Sequence, residues 1–213
     1  MLIDMWNMLI ERQDFFLELL LQHLRLSFTA IILSCLIGLL IGIFMSENEK
    51  LSGPIMTIIN IVYTIPSISL LGFLLPFTGI GDKTASIALV LYGIMPVARN
   101  TYIGIQGVPS ALLDAGKGMG STRLQLLIKI KLPLAIDVIL GGIRSMAVMT
   151  VAMTGIASFI GAGGLGVAIY RGINSNNMAM TYIGSILNAS LALLVDWAIG
   201  RIQKQIKRNR REI

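Results

Sequence analysis

Charge is scarce in this chain. Only 13% of its 213 residues are charged and 55% are hydrophobic, where soluble domains carry about 25% charged residues. The mean hydropathy is +0.80. So little polar surface cannot cover a water-facing protein of this size, and the composition specifies an integral membrane protein. There is one cysteine, Cys35, inside an apolar run, which excludes an internal disulfide and a cysteine-rich metal cluster. There is one histidine, His23. Serines stand in the apolar runs (Ser27, Ser34, Ser67, Ser69), but a serine nucleophile needs a base within hydrogen-bond reach. His23 precedes the first apolar run and reads as a polar flank at the membrane interface. One His and one Cys cannot complete a zinc site. No G-x-x-x-x-G-K-S/T occurs, so the chain lacks the phosphate cradle of an ATPase. Any ATP that drives it is hydrolysed elsewhere. Finally, Asp4, Glu11, Asp14 and Glu18 occupy the start and a basic leader region is missing, so residues 1–18 do not read as a cleaved signal peptide.

The net charge of +6 does not imply nucleic acid. The cations gather at Lys117–Lys131 and Arg201–Arg211, beside apolar runs, where they act as topology signals.

A helix needs about 20 apolar residues to cross the hydrocarbon. Five stretches meet that length: 26–45, 54–75, Thr84–Ile105, Leu134–Ile160 and Met178–Gly200. Residues 1–18 mix Met5, Trp6, Leu9, Phe15 and Phe16 with acids and form an interfacial amphipathic helix. Pro54 suits a first helical turn, Pro66 kinks the second span, and Pro76 ends it. Residues 19–200 are one membrane domain, with a polar loop over 110–133, and 201–213 are a basic tail. Lys50, Lys117–Lys131 and the tail fall on one side of a five-span path, and Lys83 and Arg171 on the other. The positive-inside rule then puts the N-terminus outside, and the polar loop and tail in the cytoplasm of a multi-pass plasma-membrane protein.

Gly161-Ala162-Gly163-Gly164-Leu165-Gly166 matches G-x-G-x-x-G, but no strand precedes it, so it reads as a tight turn on the outer side. Arg99, Asp137, Arg144 and Asp196 lie inside the spans, near the cytoplasmic face, with the middle of each span uncharged. They serve either as ion pairs at the rim or as a gate. Tyr63, Tyr92 and Tyr170 either anchor and pack or offer π-faces to a cation.

The polar loop departs from every other stretch. A helix runs from Ser110, which can cap it, to Leu127, and Pro133 breaks the chain before the fourth span. Asp114, Lys117, Arg123, Lys129 and Lys131 are too charged for a span, and its leucines are too apolar for a free loop. Asp114 favours the positive end of a helix, and Gly120 permits a sharp turn. Asp114-Ala115-Gly116, three residues, Gly120, nine residues, Ile130-Lys131-Leu132-Pro133 resembles the Glu-Ala-Ala coupling loop of ABC-importer permeases. Asp replaces Glu and Gly replaces Ala, which keeps the charge and the smallness. Further carriers are Tyr63-Thr64-Ile65-Pro66-Ser67, the run Leu91–Tyr102, and Ile156–Gly166 with Arg171-Gly172-Ile173. Over about 19–200 the chain resembles permease subunits of osmoprotectant ABC importers, the glycine betaine/carnitine/choline type.

That resemblance implies an all-α type I importer permease fold: five transmembrane helices, a cytoplasmic coupling helix and an N-terminal interfacial helix. It implies no enzymatic activity and no cofactor in this chain, with ATP on the partner. The implied partners are a cytoplasmic ABC ATPase dimer, a second permease (identical or sister), a lipid-anchored extracellular binding protein and membrane lipid, without nucleic acid. Asp114, Ala115, Gly116, Gly120, Leu132 and Pro133 become the ATPase-coupling residues. Tyr63, Pro66, Tyr92, Met95, Pro96 and Arg99 become candidates for the translocation path or gate. Methionine and bile compounds stay open as solutes, and a stand-alone carrier as a rival class.

Overall fold

The computed structural model describes the backbone of residues 2–211 and side chains as far as Arg208. Among the described residues the chain is helical throughout, without a strand. Helix α1 (Leu2–Glu11) is separated only by Arg12 from α2 (Gln13–Glu47), the longest element. Met5, Met8 and Leu9 of α1 turn inward onto a cluster of Phe16, Leu19, Leu165 and Met180, while Leu2, Ile3 and Trp6 stay exposed.

Next come α3 (Glu49–Thr64), α4 (Ser67–Thr78) and α5 (Asp82–Gln106). Pro66 does more than kink this segment: α3 and α4 are separate helices set 98° apart. Ile65 and Pro66 are extended, at ψ 127 and 136. Proline cannot donate to the ladder, and its ring pushes the preceding residue out of the helical region. The other two prolines break nothing. Pro54 lies inside α3, and α4 continues past Pro76 to Thr78.

The bundle centres on α2, α5 and α8 (Leu132–Thr154). Small residues let these helices approach, as is usual where lipid removes the hydrophobic drive. A Cβ on Gly42 of α2 would stand 2.5 Å from the Thr101 Cβ of α5. Ser34 adds a hydrogen bond across the same seam, donating to the Val90 carbonyl at 3.2 Å.

Between α5 and α8 lie α6 (Ser110–Gly118), α7 (Arg123–Leu126) and one π-helical turn, Leu127–Lys131. The single helix expected over Ser110–Leu127 is therefore two, and Ser110 caps nothing; Pro109 occupies the cap position. Pro133 does not break the chain either. It sits in the first turn of α8, where a missing N–H costs little, and the helical path runs from Arg123 to Thr154 through the π turn. A short 3₁₀ stretch (Ile156–Ile160), α9 (Gly166–Asn174) and α10 (Met178–Arg211) complete the chain. The basic tail continues α10 as far as Arg211; residues 212–213 lie outside the described ones.

By length and composition, Gln13–Glu47 and Met178–Arg208 are each fit to cross a membrane, and the bent pair α3–α4 makes a third span if counted as one.

Candidate functional site

The coupling loop is built around one glycine contact and one glycine turn. Gly116 is the buried residue of α6. A Cβ there would meet Leu126 Cδ2 at 2.7 Å and Ile130 Cδ1 at 2.8 Å, so the third motif position must be small because α7 and the π turn lie over it. Gly120 is glycine for a different reason: nothing surrounds it, but its φ is +80. Its N–H donates to the Lys117 carbonyl at 2.9 Å, and that of Ser121 to the Gly116 carbonyl at 3.1 Å. This bond pair is a Schellman C-cap, which consumes carbonyls that α6 would leave open. Thr122 and Gln125 then close a capping box on α7.

The rest of α6 faces outward. Asp114, Ala115 and Lys117 are exposed. Asp114 is in the middle of α6 rather than its first turn, and it pairs with Lys117 at 3.1 Å, an exposed contact of little energetic weight. Apolar Leu112, Met119 and Leu124 are exposed beside them, Met119 by 79%. Beyond the loop, Lys131 donates to Glu47 Oε1 at 2.6 Å, tying the π turn to the end of α2. An open cleft of about 760 Å³ lies between this pair, the α2–α3 turn and α6. Leu132 packs with Leu127 against Ile105, Ala135 and Ile139. Asp114, Ala115 and Gly120 thus form one exposed knuckle seated through the buried Gly116, whereas Leu132 and Pro133 stand at its root.

The helix break forms a second locus. Tyr63, near the end of α3, stacks edge-to-face on Tyr92 of α5, ring centroids 6.0 Å apart. The buried Tyr92 hydroxyl donates to the Ile65 carbonyl at the break itself. Tyr63 is 37% exposed, and its hydroxyl reaches only the Met149 sulfur at 3.5 Å. Met95, Pro96 and Arg99 follow Tyr92 on the same face of α5 and grade from half-buried to exposed. The break brings Tyr63, Pro66 and Tyr92 together; Met95, Pro96 and Arg99 lead from them toward the coupling loop.

Of the two roles expected for Arg144 and Asp196, the ion pair is the one formed. Arg144 stands midway along α8 and grips Asp196 of α10 with both prongs, Nε to Oδ1 and an Nη to Oδ2, each at 2.6 Å. Asp137, seven residues earlier, is not its partner.

His23 is also unlike its sequence reading. It is fully buried. Its Nε2 donates to the Val151 carbonyl at 3.0 Å, and its Nδ1 accepts the Leu165 N–H at 3.3 Å, so the two bonds fix one neutral tautomer. The α8 helix ends at Thr154, leaving its last carbonyls open, and His23 takes one of them. The glycine turn is held in the same way: Gly163 N–H donates to Asp82 at 3.0 Å and Gly164 N–H to Gln22 at 3.2 Å. Three consecutive amides are thus received by three side chains of α2 and α5. Sequence reasoning missed this clasp because its acceptors lie far along the chain. The one available signal was a Gln-His pair at the edge of an apolar run.

Comparison with known proteins follows the same outline. Residues 34–208 match the family described as binding-protein-dependent transport system inner membrane component. A carnitine transport permease protein of Listeria monocytogenes is 38% identical over 87% of this chain and 85% of its own length. A glycine betaine/carnitine/choline transport system permease protein of Bacillus subtilis is 36% identical, covering 87% of this chain and 81% of that one. An osmoprotectant import permease protein of Salmonella typhimurium is 34% identical over 94% and 95%. Among solved structures, the MetNI methionine ABC transporter in an inward-facing conformation superimposes with a TM-score of 0.83 at 25% identity, over 90% of this chain and 95% of that one.

Proposed function

The chain belongs to the family of inner membrane components of binding-protein-dependent transport systems, and from that premise we propose that it is the permease subunit of an ATP-driven importer of quaternary-ammonium compatible solutes. The solute class is supported by relatives at 34–38% identity named for carnitine, glycine betaine, choline or osmoprotectants. A methionine importer has the likeness of fold in its favour, at lower identity.

The observation that carries the mechanism is the knuckle of α6. It is locked by a Schellman turn and packed through Gly116 against α7 and the π turn, while Leu112, Asp114, Ala115 and Lys117 on its outer side stay exposed. A surface built this rigidly and left exposed, with Leu112 and Met119 on it, suits a groove on another protein. In our reading that protein is a cytoplasmic ATPase dimer; Asp114, Ala115 and Gly120 make the contact, and Gly116 seats α6 on α7 so that they can. Movement passes through Leu132 and Pro133 into α8, and through Lys131 and Glu47 into α2. The chain holds no nucleotide and catalyses nothing itself.

The membrane path is proposed as five spans: α2, the bent pair α3–α4, α5, α8 and α10, with α1 lying at the interface and residues 201–213 as a cytoplasmic tail. The N-terminus is then outside and the coupling loop inside. A second permease, identical or sister, completes the path, and a lipid-anchored binding protein delivers solute from outside. Tyr63, Pro66, Tyr92, Met95, Pro96 and Arg99 line that path. Irregular backbone at membrane depth is tolerated only inside protein or beside water, and the break at Ile65–Pro66 leaves Tyr63, Thr64, Pro66 and Ser69 exposed in the single chain. Co-purification tests the assignment: the tagged chain should bring down an ATPase, and Gly116→Leu should release it while leaving the chain in the membrane. Retention of the ATPase by that variant contradicts the docking.

A further inference from the structure

The break between α3 and α4 is more than a place where the path passes. We infer that Tyr63 is a transient station for the quaternary-ammonium group, with Tyr92 as the residue that positions it; this rests on the solute class proposed above. Three observations converge on the one ring.

The first is its setting. Tyr92 stands near the middle of α5, so the pair lies far from both ends of α5 and, with α3 and α4 taken as one bent span, from both ends of that span. A tyrosine that anchors a membrane protein to the headgroup layer belongs at the ends of spans. Tyr63 is not there, and anchoring does not explain it.

The second is its support. The Tyr92 ring meets Tyr63 at 68°, and the Tyr92 hydroxyl is committed to the Ile65 carbonyl. Tyr92 is thereby fixed, and its ring holds Tyr63. The Tyr63 hydroxyl has only a sulfur for a partner, a weak acceptor. Tyr63 thus offers both its ring and a weakly held hydroxyl. A quaternary ammonium, which has no N–H to give that oxygen, can use only the ring. The space behind the pair is closed: the cavity between α4, α5 and the 3₁₀ stretch is about 10 Å³, no larger than a single water requires. A solute cannot lodge behind the tyrosines, and only the exposed side of Tyr63 remains.

The third is charge. Helix α3 ends at Thr64, and the carbonyls of a helix C-terminus carry partial negative charge. The residues of the break itself, Thr64, Ile65, Pro66 and Ser67, carry no charge. A cation is thus favoured by weak, diffuse attractions only. An aromatic face attracts a quaternary ammonium, which offers no N–H to a hydrogen-bond acceptor, and does so most strongly when both are desolvated. Attraction of this kind holds a solute in passing, whereas a carboxylate would trap it.

The test is reconstitution of the complete importer (permease, ATPase and binding protein) in proteoliposomes, reading choline moved per ATP hydrolysed. Tyr63→Leu removes the π-face at similar bulk and should lower that ratio about tenfold, the size of a desolvated cation–π contact. Tyr63→Phe and Tyr63→Trp keep a face, lose the hydroxyl and should stay within about twofold of wild type on the same grounds. A wild-type ratio in Tyr63→Leu overturns the station. So does a Phe variant as poor as the Leu variant, since the hydroxyl would then be what matters. If the wild-type importer moves neither choline, betaine nor carnitine, the solute class itself falls, an outcome distinct from either of these.

Discussion

Arg144 and Asp196 face each other across α8 and α10 as a bidentate pair, both bonds 2.6 Å long. Gly200, one turn beyond Asp196, makes room for the guanidinium; a Cβ there would stand 3.1 Å from its central carbon. The two side chains are 37% and 39% exposed in the single chain. In water such a pair contributes little. In the five-span path proposed above each charge alone would be costly, and the pair would hold α8 and α10 together.

Breaking one half should therefore do more harm than removing both. Asp196→Ala leaves Arg144 uncompensated and should lower the amount of folded permease in the membrane severalfold. Arg144→Leu with Asp196→Leu should recover most of it. Quantitative immunoblotting of membranes, with thermal unfolding of the purified protein, checks this. A double variant as scarce as the single one contradicts the pairing.

At the coupling loop the two glycines should respond differently. Gly116→Ala places a methyl against the ends of Leu126 and Ile130, side chains able to shift, so uptake should survive. Gly116→Leu forces α7 off α6 and should abolish uptake. At Gly120 the obstacle is backbone: Gly120→Ala at φ +80 should cost about 1–2 kcal/mol of local stability. Gly120→Asn should cost less, because asparagine visits that region more readily. Hydrogen exchange over residues 110–126 separates the two cases. Equal loss of protection in the Ala and Asn variants would refute the turn.

The clasp on the glycine turn should be permanent. Leu165 is fully buried beside Phe16 and Leu19, and Gly166 lies so close to the Gly155 carbonyl that a Cβ would approach to 1.8 Å. A Cβ on Gly163 would be 3.3 Å from that of Gln22, close to the span of a disulfide. Gln22→Cys with Gly163→Cys, in a Cys35→Ala background, should cross-link on oxidation and still support uptake. Uptake that stops on oxidation and returns on reduction would show instead that the turn undocks in each cycle.

The Tyr92 hydroxyl should matter through the backbone. Tyr92→Phe frees the Ile65 carbonyl at the break and should destabilise the protein by roughly 0.5–1.5 kcal/mol, the net worth of one hydrogen bond at a half-buried site. Thermal unfolding of the purified permease measures it; an unchanged melting temperature contradicts the bond.

How far the sequence anticipates this structure depends on the range of the interaction. Period and length locate α5 to within two residues and the start of α10, because an apolar run reports its own burial. They miss residues 13–25 of α2, which carry Asp14, Glu18 and Arg25. The turn at Gly120 is also anticipated, since a turn is local. The same locality misleads at the prolines. Pro133 suggests a break, yet the π turn before it and its place in the first turn of α8 absorb it. Pro66 suggests a kink and gives a full break, because Ile65 finds a partner in Tyr92, 27 residues away. His23 is read wrongly from sequence, and which acid pairs with Arg144 is left open, for a common reason. Their partners, Val151, Leu165 and Asp196, lie on other segments of the chain, and no periodicity encodes them.

The central claim is that energy enters this permease through α6 from another protein and moves a quaternary-ammonium solute inward. It is tested most directly by uptake of radiolabelled choline, betaine and carnitine into proteoliposomes, with the binding protein on the side of the solute and ATP on the side of the coupling loop. The account predicts accumulation that requires ATP, ATPase and binding protein together, and that vanishes with Gly116→Leu. Accumulation by this chain alone, without nucleotide, would contradict it.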